Sequence, residues 1–307
     1  MNKLTTPAVV ALLTFYSMLS PGASTQEDSL PNQQRILFEC KVGEDVEVFV
    51  ISADGSNPVN LTNHPGRDSA PSWTADGSQI VFASSRDAGE GGRNDVYIMN
   101  ADGSDVKRIT TDSAGYSFPS LSPDGKRIAF DASRGAETSQ VWVMHADGSN
   151  VKRVTFSNTP EGYCSWTADS KRIGFDTFRD GNSEIYTINA DGSDPFRVTK
   201  FGGHVGDPRI SPDGRYMLFE TGKDGNSEIY ITDIGGSNPK RLTDNPADDR
   251  SPALSHDGKR VAFSSDRSSE REQFGLFIMN SDGSDVQKIE TPGSVNLYPT
   301  FEPPKKE

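Results

Sequence analysis

The sequence predicts an all-β fold, a six-bladed β-propeller of four-stranded antiparallel blades, closed by a C-terminal strand that completes blade 1. Three observations predict it. First, Asp-Gly recurs at Asp54, Asp102, Asp147, Asp191 and Asp282, with Gly235-Gly236 in the remaining slot, and a second Asp series runs Asp76, Asp124, Asp169, Asp213, Asp257; both step by 44 to 48 residues. Second, aromatic residues keep that register: Phe38, Phe82, Phe130, Phe175, Phe219 and Phe263 in one series, and Phe49, Tyr97, Trp142, Tyr186, Tyr230 and Phe277 in the other. Third, the two ends of the chain match each other. Tyr298-Pro299-Thr300-Phe301-Glu302 aligns with Ala70-Pro71-Ser72-Trp73-Thr74, while Pro31-Asn32-Gln33-Gln34 stands where other units carry Pro-Asp-Gly-Lys. The chain is therefore expected to begin blade 1 at its second strand and to supply the first strand last, which removes the free sheet edges.

In chain order, residues 1–24 read as a signal peptide. Lys3 is the only charged side chain before Glu27, an apolar stretch from Ala8 to Leu19 follows, and Pro21-Gly22-Ala23-Ser24 offers a small-residue cleavage region. Residues 25–30 are a linker, 31–304 the propeller and 305–307 a tail. Blade 3 displays the repeat: strand A from Phe118 to Ser122, the Pro123-Asp124-Gly125 turn, strand B from Lys126 to Asp131, strand C from Val141 to His145, the Asp147-Gly148 turn, and strand D from Lys152 to Thr155. Asp-Gly between apolar runs marks a hairpin, because Gly accepts positive φ without a Cβ clash. Strand C, Val141-Trp142-Val143-Met144, is apolar on both faces, as a blade sandwiched between two neighbours requires.

Composition sets limits. A formal net charge of −13 offers nothing to a phosphate backbone, so nucleic acid is excluded as a partner. After the signal no stretch is apolar for the ~18 residues that a spanning helix needs, so the mature chain carries no transmembrane segment and is expected to be periplasmic or secreted, and a monomer. Cys40 and Cys164 fall in blades 1 and 4, across the ring from each other, and are expected to be free thiols.

Units such as Phe118-Pro119-Ser120-Leu121-Ser122-Pro123-Asp124-Gly125-Lys126-Arg127-Ile128-Ala129-Phe130, with ends such as Asp191-Gly192-Ser193 and Arg241-Leu242-Thr243, resemble the WD40-like (PD40) repeats of TolB-type propellers. The resemblance covers residues 31 to 304. It implies that strand A lines the central channel and strand D is outermost. Ser170 in place of the turn Gly of blade 4, and Gly235 in place of Asp in blade 5, depart from the pattern. TolB itself carries an α/β domain before its propeller, and prolyl-oligopeptidase relatives carry a hydrolase domain after it. Neither is expected here.

A search for chemistry yields little. His64, His145, His204 and His256 are spread over different blades and faces and cannot converge on one ion, so the histidine cluster of the similar oligogalacturonate lyases is missing. No Gly-x-Ser-x-Gly or His-Glu-x-x-His occurs. The turn aspartates suit backbone geometry, and Asp180-Gly181-Asn182-Ser183-Glu184 and Asp224-Gly225-Asn226-Ser227-Glu228 are too short for calcium loops. No cofactor and no metal are expected. The top face, made by the D–A and B–C loops, is more informative. Its D–A loops (63–70, 111–118, 156–163, 200–207, 244–251, 291–298) hold seven acids against three bases, and Phe118, Tyr163 and Tyr298 are read as standing just before strand A. B–C loops are longest in blades 2 and 6, over 87–94 and 266–273. The expected site is the top channel mouth, with Phe118, Tyr163, Tyr298, Arg209 and Arg250 as anchors and Asp207 and Asp249 as charge partners. The expected function is non-catalytic binding of a protein or peptide in the cell envelope; the resemblance points to an envelope lipoprotein as partner. The alternative is a polysaccharide lyase or glycoside hydrolase working in the channel, with Asp207 and Glu161, or Asp248 and Arg250, recruited.

Overall fold

The structure is a computed structural model that describes residues 34–88, 92–112, 114–267 and 273–305. The expected signal peptide and linker, and parts of the long loops of blades 2 and 6, lie outside the described residues. Six four-stranded antiparallel sheets form the blades, each in the spatial order A-B-C-D. Blade 1 combines strand A from the C-terminus (Asn296–Phe301) with strands B (Arg35–Val42), C (Asp45–Ser52) and D (Val59–Asn60), so the last strand closes the ring as the matching ends predict. Among the described residues no helix is long and apolar enough to cross a membrane.

The twelve aromatics are cross-strand partners. Phe38 faces Phe49, Phe82 Tyr97, Phe130 Trp142, Phe175 Tyr186, Phe219 Tyr230, and Phe263 Phe277 in the B–C ladders. In five blades the paired rings lie 5.7–6.2 Å apart; in blade 3 Phe130 packs on Tyr116 at 4.9 Å instead. The strand B phenylalanines are fully buried. The core is divided into six clusters, each filling one gap between adjacent blades. One of them joins Ala262, Leu276 and Ile278 of blade 6 to Ile36, Phe38 and Phe301 of blade 1, so the closing gap is packed like the others. Cys40 and Cys164 sit in different gaps and are free thiols. Burial pushes Cys40 up to about 11 and Cys164 well above the usual thiol range.

Turn chemistry accounts for both Asp series. Asp54, Asp102, Asp147, Asp191 and Asp282 each accept from the backbone N–H two residues on. Asp76, Asp124, Asp169, Asp213 and Asp257 do the same and also accept a Ser or Thr hydroxyl from two residues back. The C–D glycines have a further role that the repeat alone conceals. A Cβ on Gly103, Gly148, Gly192, Gly236 or Gly283 would lie 2.0–2.9 Å from the carbonyl oxygen of the residue that follows strand D of the preceding blade. Ser170 adopts φ 60° in the slot of a turn Gly and its Oγ accepts from Asp124 N at 3.0 Å, tying the turns of blades 3 and 4 together.

Candidate binding site in the central channel

Every strand A carries a β-bulge, and its bulged residue is in the left-handed region: Ala70, Phe118, Tyr163, Asp207, Ser251 and Tyr298, with φ between 48° and 56°. The three aromatics thus stand inside strand A, not before it. A bulge breaks the two-residue alternation, so the pattern of the first half of each strand is disguised as loop. These six residues make a ring around the channel. Phe118 lies 4.2 Å from Tyr163 and 4.9 Å from Tyr298, ring centre to ring centre, and the two tyrosines are 6.3 Å apart. The cluster forms a waist, filled from blades 1, 3 and 4, while blades 2 and 6 contribute only Ala70 and Ser251. All three rings are partly exposed, and none lines the cavity in the lower half of the channel.

Blade 5 places Asp207 in this ring, 2% exposed, with Arg209 Nε 2.9 Å from Oδ1 as its ion partner. Burial raises its carboxyl to about 6, against the pull of Arg209. Around the waist stand further carboxylates, one residue after the strand B phenylalanine. Glu39 accepts from Ala70 N at 3.1 Å and Glu220 from Ser251 N at 3.0 Å, each capping the bulge of the next blade. Asp131 lies against the Tyr163 backbone, and burial raises it to about 7. Burial, with the charges of Asp131 and Asp207, holds Asp176 well above the carboxylate range. The same surroundings push Tyr163 up to about 12, burial first and the Asp207 charge second.

The top rim is less acidic than its loops imply. All seven loop acids have arginine partners: Asp68 with Arg86, Asp112 with Arg134, Glu161 with Arg179, Asp207 with Arg209, Asp244 with Arg241, Asp248 with Arg250, and Asp249 with Arg267. Counting D–A loop residues alone missed these cations, most of which come from the end of strand B or from strand D. Asp249 is fully buried, so it belongs to the wall rather than to a rim that could meet a partner. Arg86, Arg179 and Arg267 lie over the paired aromatics of their own blades at 4.8–5.5 Å. Arg250 is at the top, 44% exposed and 5.2 Å from the Phe274 ring. Arg209 is placed differently from expectation, since the residue lines the lower half of the channel, with its Nε against Asp207 of the waist. The aspartates of the two calcium-like segments accept from the strand C tyrosines Tyr186 and Tyr230, and Glu184 and Glu228 accept from Thr199 and Thr243 and pair with Arg197 and Arg241. Among the described residues no group of three His, Cys, Asp or Glu side chains could hold a metal. Two top-face aromatics were overlooked: Phe156, 74% exposed, with Arg153 over its ring, and Phe178, 42% exposed. The signal for both was their lack of a partner in the twelve-aromatic register.

The model of the PD40 family, the TolB β-propeller domain, matches residues 20–137 and 132–307. The chain belongs to that family. Among solved structures, TolB from Acinetobacter baumannii is 23% identical and superposes with a TM-score of 0.76, over 89% of this chain and 68% of that one. A TolB-like protein from Agrobacterium tumefaciens is 22% identical with a TM-score of 0.69, over 84% and 89% of the two chains. Hydrazine synthase from Kuenenia stuttgartiensis shares the fold at 14% identity and a TM-score of 0.70, over 89% of this chain and 47% of that one. A search of curated proteins finds no match. At these identities the likeness concerns the fold, which unrelated functions share, so the function of this PD40 chain has to be argued from its channel.

Proposed function

We propose that this PD40 chain is an exported propeller that docks a protein or peptide at the top mouth of its channel, in the cell envelope, without catalysis. The observation that carries the proposal is the waist. Three aromatics from three separate blades converge within 4.2–6.3 Å in the channel and remain partly exposed. Large, rigid aromatics in a concave, partly dry setting are the residues that anchor protein interfaces. Phe156 and Phe178 extend the aromatic surface, and Arg250 supplies an exposed guanidinium beside it. Asp207 acts from within the wall by fixing Arg209.

The test is capture from an envelope extract by the mature chain, followed by titration of the captured protein. Tyr163→Ala combined with Tyr298→Ala should weaken binding by about 2 kcal/mol or more, the scale of an interface hot spot. Asp147→Ala with Asp191→Ala, on the bottom turns, should leave it unchanged. Loss of binding in the bottom variant alone would reject the top mouth. A polysaccharide-cleaving enzyme is favoured by one observation, the raised carboxyls Asp131, Asp176 and Asp207. These groups are nine-tenths or more buried in the wall, whereas a general acid must reach substrate. Depolymerisation of an envelope polysaccharide that Asp207→Asn abolishes would establish the enzyme instead.

A further inference from the structure

Below the waist the channel changes character. Strand A contributes Ser72, Ser120, Ser165, Arg209, Ala253 and Thr300 as the next ring, around a cavity of about 290 Å³. No carboxylate lines this cavity, in a chain with 44 acidic against 31 basic residues. Its polar lining includes hydrogen-bond donors among apolar residues such as Leu121, Ile210 and Leu254. Arg209 Nε is 2.9 Å from Asp207 Oδ1, and its Nη groups make no hydrogen bond among the described residues. Ser165 Oγ accepts from Ile210 N, which leaves its hydroxyl hydrogen to donate.

Trp73 occupies the same position of strand A in blade 2 as Trp166 in blade 4, and both residues line the cavity. Trp166 Nε1 donates to Ser120 O at 2.9 Å, whereas Trp73 Nε1 is covered by the wall and has no partner.

We propose that this lower compartment binds a small carboxylate-bearing ligand from the bottom face, its carboxylate on the Arg209 guanidinium. A planar guanidinium suits a carboxylate through paired, charge-assisted hydrogen bonds. The enclosed volume suits a small organic acid or the C-terminal residue of a peptide, not a folded domain.

Tryptophan fluorescence reads occupancy, because two of the three tryptophans of the chain line the cavity. The probes are succinate, N-acetyl-trialanine with a free carboxylate, and the same peptide amidated. A saturable change with succinate alone identifies a free acid; one with the free peptide, a chain terminus. The amidated peptide should give none. Arg209→Gln should weaken the response at least tenfold. Because that change strips buried Asp207 of its partner, Arg209→Gln with Asp207→Asn serves as the second variant, its folding checked by melting temperature. No saturable change with any probe, an equal response to the amidated peptide, or unaltered affinity in the folded double variant would overturn the proposal.

Discussion

Asp131 lies against the Tyr163 backbone of the next blade and accepts a single, long 3.3 Å bond, from Ser139 Oγ. One of its oxygens has no partner. Burial raises its carboxyl from about 3.8 to about 7, so the folded state holds a proton that the unfolded chain gives up. A raised carboxyl pKa makes stability highest below the unfolded value and lowers it as pH climbs from about 4 to about 7. Asp131→Asn removes that penalty. The variant should be less stable than or equal to the parent at pH 4 and more stable at pH 8, by on the order of 1–4 kcal/mol. Urea melts at the two pH values check it; a difference that does not grow with pH would show Asp131 ionised in the fold. The sequence offered this residue only as one acid after a repeated phenylalanine. Likewise Asp68, Glu161 and Asp249 read as free rim charge, because each partner arginine lies 18 residues further on, at the far end of strand B. Pairing across a hairpin is invisible to a count made loop by loop.

At the scale of the element, the hairpins were legible and the bulged strands were half legible. Asp-Gly fixed both turns, and the aromatic series fixed strands B and C, since each pair faces directly across the ladder. Strand A lost its first residues to the loop because the left-handed residue reverses which side the next side chain takes. The two kinds of turn glycine also differ in a way that spacing cannot reveal. Gly125, in an A–B turn, has φ 72° and nothing within 4 Å of a built Cβ; Gly148, in a C–D turn, has φ 85° and Ile109 O at 2.5 Å. Gly125→Ala should cost about 1–2 kcal/mol, the strain of the left-handed conformation. Gly148→Ala should cost a further ~1–3 kcal/mol, the scale of overpacking, because two blades must part. Denaturant titration of both variants measures it; equal losses would remove the inter-blade role of the C–D glycines.

For the whole molecule, closure and channel are one problem. The last strand inserts Phe301 into the gap between blades 6 and 1 and pairs with strand B of blade 1. Deleting residues 296–307 should bare that strand edge and the core beneath it, giving aggregation or a melting temperature lower by 10 °C or more, on the order expected when several kcal/mol are lost. A truncated chain that stayed monomeric with an unchanged melt would refute closure. The matching ends made the ring legible in the sequence. The division of the channel was not legible, because the waist depends on which bulged residues are large. Phe118, Tyr163 and Tyr298 fill it from one side while Ala70 and Ser251 leave room on the other, and Asp207 with Arg209 links the top mouth to the space below. The measurement that tests the docking account most directly is hydrogen exchange of the chain with its captured partner bound. Protection should concentrate on the top, in residues 111–118 and 156–163 and around Phe178, with the bottom turns exchanging as in the free chain. Protection confined to the C–D turns at 54–56, 102–104 and 147–149 would contradict it.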